Sequence, residues 1–237
     1  MIELSAGEVL DDLLIDNLKI VQNVNFYRFT SDSVLLSKFA RVKAGDVVAD
    51  FCAGSGIVGL HFYALHRALV QSVTLFELQI ELYEMSKKTV LLNGLESVFT
   101  AVNCKVQEIP EEYTEKFSLI LCNPPYEKGG FENKDYQKAV CRKELFLTLD
   151  ELAKAAAHAL KYGGRLALCH RADRLAELVC TLHQYNLEVK RIQPVSGTPS
   201  VAPYLVLVEA VKGGKAGVTL LPTLVNAPTA QDSQESR

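Results

Sequence analysis

Two short stretches of this sequence combine residue types that can do chemistry. The first is Asn123-Pro124-Pro125-Tyr126, which directly follows the apolar run Phe117-Ser118-Leu119-Ile120-Leu121-Cys122. Asn123 offers a side-chain carbonyl. Pro124 has no N–H, but its carbonyl accepts, and two consecutive prolines hold the backbone stiffly beyond the strand. Together the two oxygens can accept both protons of an exocyclic amine. The lone pair of such an amine is delocalised into its ring, so the nitrogen is a poor nucleophile. Two acceptors pull it toward a tetrahedral form and aim the lone pair at an electrophile. Tyr126 would stack on the ring. No general base is needed before attack, because the proton leaves only after the nitrogen has become cationic. The protein then supplies orientation and charge placement. A base stacked in RNA would first have to be turned out into this pocket.

The second stretch is Asp50-Phe51-Cys52-Ala53-Gly54-Ser55-Gly56, after the apolar run Asp46-Val47-Val48-Ala49. A strand, a glycine turn and a helix make a nucleoside-cofactor site, since glycine permits close backbone approach and the helix start offers free N–H groups. Gly54, Gly56 and Gly59 approximate the dinucleotide pattern G-x-G-x-x-G. The leading acid argues against a pyrophosphate, which Asp50 would repel. It suits a cationic amino group, such as that of S-adenosylmethionine. Glu77, at the end of the next apolar run, can accept hydrogen bonds from ribose hydroxyls. That device serves nicotinamide and methyl-donor cofactors alike. The duller readings are a glycine turn without a ligand, a solvated strand-end acid at Glu77 and a rigid Pro-Pro turn.

These residues need elements to hold them at one edge. From residue 46 onward, apolar runs alternate with helical patterns. Strands are expected at 47–51, 72–77, 99–103, 118–122, 165–169, 187–192 and 204–211, with helices at 57–68, 80–92, 149–161 and 174–184. This predicts an α/β fold: a doubly wound, mostly parallel seven-stranded sheet with an antiparallel edge hairpin. Ahead of it, residues 1–45 read as an N-terminal cap. It contains short strands or irregular structure over 11–24 and a helix after Ser31, the expected N-cap. The main domain is expected over 46–222 and a disordered tail over 223–237. Val218 to Leu221 could add a further strand.

The 237 residues are 49% apolar and 22% charged, with a formal net charge of −3, so no global basic field points to nucleic acid. The six cysteines and five histidines are scattered, without C-x-x-C spacing. The cysteines read as small buried residues in a reducing compartment, and with the histidines equally scattered no metal site is expected. The N-terminus has Glu3 and then Asp11-Asp12 where a signal peptide would be basic and then apolar. No long apolar span follows, so a cytoplasmic protein without membrane association is expected.

The sequence resembles the class I S-adenosylmethionine-dependent methyltransferases, whose sheet is Rossmann-like. More narrowly, it is similar to the bacterial N6-adenine methyltransferases that modify valine tRNA at adenine 37, beside the anticodon. The resemblance runs from residue 8 to about 222 and rests on five segments. These are Asp11-Asp12-Leu13, Phe29-Thr30-Ser31-Asp32-Ser33-Val34-Leu35-Leu36, the glycine loop, Asn123-Pro124-Pro125-Tyr126 and His170-Arg171-Ala172-Asp173-Arg174-Leu175. It implies that the loop Asp50, Cys52, Ala53, Gly54, Gly56 holds the amino-acid end of the cofactor, and that Glu77 holds the ribose. It also implies that Phe29 and Thr30 close over the cofactor and that Asn123 to Tyr126 are catalytic. The implied substrate is tRNA. The chain departs from the family in two places. Cys52 stands where the loop usually has its first glycine, and Asn103-Cys104 stands where an acid often lies near the cofactor adenine, so Asn103 is the expected cofactor contact there.

RNA contact is expected from Arg28, Lys128, Arg171 and Arg174. Lys128 belongs to a loop, 127–144, that mixes basic, aromatic and acidic residues beside the proposed base clamp. Three competing readings stay open. A protein methyltransferase acting on a glutamine amide would use the same chemistry, but usually carries a larger helical N-terminal domain. A non-catalytic cofactor- or RNA-binding module would not need Asp50, Glu77, Asn123 and Tyr126 together. A nicotinamide oxidoreductase leaves Asn-Pro-Pro-Tyr unexplained. The sequence does not indicate an oligomeric state.

Overall fold

The computed structural model describes residues 2–26, 30–124 and 147–226. The chain opens with an antiparallel hairpin of its own, β1 (Glu8–Asp12) with β2 (Lys19–Asn23). Then α1 (Ser31–Phe39), β3 (Asp46–Phe51), α2 (Ile57–His66), β4 (Val70–Glu77), α3 (Ile80–Leu92) and β5 (Phe99–Asn103) follow. Two short 3₁₀ turns lead to β6 (Phe117–Cys122). After the undescribed segment come α4 (Leu149–Ala159), β7 (Leu160–Arg171), α5 (Leu175–Gln184), β8 (Leu187–Ser196) and β9 (Leu205–Lys212). Two strands of two residues each, β10 (Thr219–Leu220) and β11 (Leu224–Val225), complete the described chain.

One sheet carries nine of these strands, in the order β10-β8-β9-β7-β6-β3-β4-β5, with β11 also on β8. β5, β4, β3, β6 and β7 are parallel neighbours, and β9 runs antiparallel to both β7 and β8. The seven expected strands are therefore β3 to β9, and β8–β9 is the antiparallel hairpin. β10 falls within Val218 to Leu221, read as a possible further strand, whereas β11 extends the sheet into residues expected to be a tail: Leu224 and Val225 pair with β8, and the Asn226 N–H donates to Ser196 O at 2.8 Å. The hairpin β1–β2 docks on α3, where Asn93 bonds both Lys19 backbone groups and the Val21 N–H donates to Thr89 Oγ1. The N-cap of α1 is Thr30, one residue ahead of the expected Ser31.

Strand alternation sends side chains to two cores. Val48, Leu119 and Leu121 join α1 and α2 on one face; Ala49, Phe51, Ile120 and Cys122 join α4 and α5 on the other. Phe51 and Phe76 are fully buried and meet edge to face at 5.5 Å, and Phe76 also meets Phe117 at 5.9 Å. Each such ring contributes about 1.5–3 kcal/mol by burial. Phe51 follows Asp50 in sequence and Phe76 precedes Glu77, so this packing fixes the backbone that carries both acids. The capping box of Thr148 and Glu151 starts α4. Among the described residues, no helix is long and apolar enough to cross a membrane, and no group of three or more His, Cys, Asp or Glu could hold a metal ion.

Candidate active site

Because β3 to β7 run parallel, their C-terminal ends meet at one edge. There Phe51 pairs with both Phe76 and Cys122, Glu77 pairs with Asn103, and Cys122 pairs with Leu168. Asp50, Glu77, Asn103 and Asn123 are thereby brought together, in the crevice where open α/β sheets bind ligands.

The glycine loop wraps over the ends of β3 and β4. The Ala53 N–H donates to Phe76 O at 3.0 Å, and the Gly54 N–H donates to Glu77 Oε2 at 2.8 Å. Gly56 caps α2 in the left-handed region at φ 92°, where a Cβ would lie 3.1 Å from Leu75. Gly59 packs closer still: its missing Cβ would meet Leu75 at 3.0 Å and Asp50 Oδ2 at 3.2 Å. Cys52, in place of the first glycine, takes φ 58°. Its side chain bears the steric cost that glycine would avoid.

Asp50 is fully buried. One oxygen accepts the Gly59 N–H at 2.8 Å, and the other, Oδ1, is buried without a hydrogen-bond partner. Burial raises its pKa to about 7, opposed by the Gly59 bond and reinforced by Glu77. Glu77 is also buried, and burial pushes its pKa up against the donors Gln79, Gly54 and Leu78. Two under-compensated carboxylates side by side are costly to ionise. A cationic ligand at this strand edge would offset that cost by its charge. The two Glu77 oxygens take the backbone N–H groups of Gly54, Gln79 and Leu78, and a carboxylate's four lone-pair sites still leave acceptor capacity for hydroxyls. These residues fit S-adenosylmethionine, which carries positive charge and a ribose.

The Asn103 amide nitrogen donates to Glu77 O and Leu78 O at 2.8 and 2.9 Å, tying β5 to the turn after β4. At the end of β6, Pro124 is buried and Asn123 half-buried. Asn123 Nδ2 donates to Ser33 Oγ at 3.0 Å, and the Cys169 thiol donates to Asn123 Oδ1 at 2.9 Å. Neither Ser33 nor Cys169 stands out by type. Strand register was the available signal for Cys169, which follows the residue paired with Cys122.

Arg171 and Arg174 lie beyond β7, each forked onto a nearby carboxylate. Arg171 bonds Asp173 at 2.6 and 3.0 Å, and Arg174, buried, bonds Glu177 at 2.7 and 2.8 Å. A phosphate would compete with these pairs. Thr30 is exposed at the start of α1. Arg28, Phe29, Pro125, Tyr126 and Lys128 lie outside the described residues, as does the 127–144 loop.

Fold and site fit a nucleoside-cofactor enzyme: a doubly wound sheet with buried acids suited to a cationic nucleoside, and the Asn123 amide at the neighbouring strand end. Solved structures share the fold. An Agrobacterium tumefaciens protein described as a predicted O-methyltransferase superposes with a TM-score of 0.65 at 20% identity, over 86% of this chain and 94% of that one. The M. jannaschii tRNA m1G37 methyltransferase gives 0.60 at 16%, over 88% and 55%. Among sequence relatives, a Shewanella woodyi protein named tRNA1(Val) (adenine(37)-N6)-methyltransferase is 26% identical over 179 residues, 74% of this chain and 72% of its own. A protein of the same name from Porphyromonas gingivalis is 35% identical over 95 residues, 40% of this chain and 37% of its own. The sequence profile described as methyltransferase small domain matches residues 30–185. The chain belongs to that family, as a methyltransferase with S-adenosylmethionine as its cofactor.

Proposed function

We propose that the protein methylates the exocyclic N6 amine of adenine in RNA, at adenine 37 of valine tRNA, the base in the names of its relatives. The observation that carries the reading is the Asn123 amide at the end of β6, the strand paired with the one that leads into the glycine loop. When bound, S-adenosylmethionine supplies an electrophilic methyl group on a cationic sulfur. In this reading the Asp50 carboxylate attracts the cofactor's positive charge, Glu77 accepts from the ribose, and the backbone of Cys52, Ala53, Gly54 and Gly56 shapes the floor. Asn123 Oδ1 and Pro124 O accept the two amine protons and hold the nitrogen lone pair toward the methyl group. Burial behind them excludes water. Pro125, Tyr126, Phe29, Thr30 and the basic residues Arg28, Lys128, Arg171 and Arg174 complete the proposed cofactor, base and strand contacts.

The test supplies methyl-labelled S-adenosylmethionine with unmodified valine tRNA transcript or with a release-factor protein. Label should enter the tRNA, and nuclease digestion should recover N6-methyladenosine. Label in protein instead would replace this reading with glutamine methylation. Asn123→Ala should lower turnover by about 10²–10³-fold, as loss of a transition-state acceptor does, with cofactor affinity unchanged by calorimetry. Wild-type turnover in that variant would overturn the assigned role.

A further inference from the structure

An asparagine amide can present either its oxygen or its nitrogen to a substrate, and only the oxygen can accept an amine proton. Asn123 would be useless in half of its available orientations unless something selected between them. Its two flanking contacts come from distant parts of the chain: Ser33 in the first turn of α1, and Cys169 near the end of β7. We propose that Cys169 and Ser33 are positioning residues that lock the Asn123 amide with its carbonyl oxygen available to the substrate amine. This rests on the methyl-transfer reading above and adds the device that orients its central residue.

The two partners do different work. The Ser33 hydroxyl, 2% exposed, accepts from Nδ2 at 3.0 Å; a hydroxyl can also donate, so alone it would tolerate a flipped amide. The Cys169 thiol cannot tolerate the flip equally well. It is fully buried at 2.9 Å from Oδ1, and a thiol is a weak donor and a poor acceptor. Flipping would set an N–H against sulfur and leave Oδ1 without that donor. Burial, reinforced by the Asp32 carboxylate, holds the thiol well above its usual pKa, so it stays protonated and able to donate. Accepting one S–H uses one lone pair of Oδ1 and leaves the other for the substrate.

The experiment compares Cys169→Ala, Cys169→Ser, Ser33→Ala and the double variant Cys169→Ala/Ser33→Ala with Asn123→Ala. Cys180→Ala, on the exposed side of α5, sets the baseline. Turnover on valine tRNA transcript should fall about 10-fold in Cys169→Ala, the scale of one lost hydrogen bond, with tRNA KM and cofactor Kd within about twofold. Cys169→Ser should recover most of the rate, because a hydroxyl donates in the same place. Ser33→Ala should lose less than Cys169→Ala. The double variant should lose less than the product of the single losses, since both contacts act on one amide. A readout free of catalysis accompanies this. In ¹⁵N-labelled protein without ligand, the Asn123 side-chain amide signals, assigned by their disappearance in Asn123→Ala, should shift in Cys169→Ala and in Ser33→Ala.

Unshifted Asn123 signals in both variants would overturn the proposal even if no tRNA were methylated. So would wild-type turnover in both, or a Cys169→Ser rate as low as that of Cys169→Ala. If Asn123→Ala collapses while Cys169→Ala and Ser33→Ala turn over normally, the methyl-transfer reading stands and the positioning role fails. If Asn123→Ala itself keeps turnover, both fail.

Discussion

Strand β3 buries one aspartate at each end, and the two are treated in opposite ways. Asp46, 2% exposed, is surrounded by donors: Arg165 Nη2 reaches both its oxygens at 2.6 and 2.7 Å, Ser118 Oγ donates at 2.7 Å, and the Lys43 N–H at 2.6 Å. The same end of the sheet holds a second matched group, in which buried Glu209 accepts from Arg41 and Arg191. Asp50, four residues further along the strand, has one backbone donor and an oxygen with none. A buried charge with its full set of partners fixes architecture. A buried charge left short of partners is kept at a cost to stability, and that cost becomes affinity when a complementary ligand arrives. One residue type on one strand thus separates the end that holds the sheet together from the end that binds.

Three changes would sharpen or break this contrast. The largest effect is expected from Asp46→Asn, which leaves Arg165 buried with neutral acceptors. Chemical denaturation should show a loss of about 3–5 kcal/mol, while cofactor affinity of the folded fraction stays near wild type. A loss of affinity with little loss of stability would reverse the assignment of the two ends.

Next is Asp50→Asn. The pKa of Asp50 is raised by burial to about 7 in the folded state, so the native protein holds a proton that the unfolded chain has already released. That contribution to stability is full below the unfolded carboxylate value and is lost as pH rises through about 7. The wild type should therefore weaken between about pH 4 and pH 7, and removing the ionisable group should flatten that slope and stabilise the protein by about 4 kcal/mol at pH 8. The same variant should bind S-adenosylmethionine about 10–100-fold more weakly, since the attraction between a buried carboxylate and the cofactor's positive charge is lost. In the wild type, binding should tighten as pH rises toward 7, with proton release measurable by calorimetry in two buffers. An unchanged pH slope in Asp50→Asn would remove Asp50 from its place in the comparison.

The smallest effect is expected from Cys52→Gly. Relief of the left-handed backbone is worth about 1–2 kcal/mol, offset by about 0.5–1 kcal/mol of glycine's added freedom in the unfolded chain. A slight rise in Tm with unchanged cofactor affinity is the expected result. A fall in Tm would show that the side chain contributes more by packing than its backbone costs.

The alternation of apolar runs, the acid-led glycine loop, Glu77 and the Asn-Pro-Pro motif were all legible in the sequence, because each depends on periodicity or on a few adjacent residues. The seven main strands follow from that pattern. The pairing of Leu224 and Val225 with β8 does not, since a two-residue strand has no period to detect. Nor did the sequence distinguish Arg171 and Arg174 as forked onto Asp173 and Glu177, which lie only a few residues away; basic residues near a motif read as phosphate ligands until the carboxylates' positions are known.

What the sequence determined by itself is a parallel sheet with an acid, a glycine turn and an amide at strand ends. Chain direction and strand order then bring these to one edge. Only the tertiary structure decided which buried aspartate would be matched and which left short. It also decided that Ser33, ninety residues from Asn123, and Cys169, forty-six residues from it, would flank the same amide. The physical reason is range. Backbone periodicity and turn chemistry act over a few residues, whereas the partners of a buried polar group are chosen by register between strands and by helix docking, which no local pattern encodes.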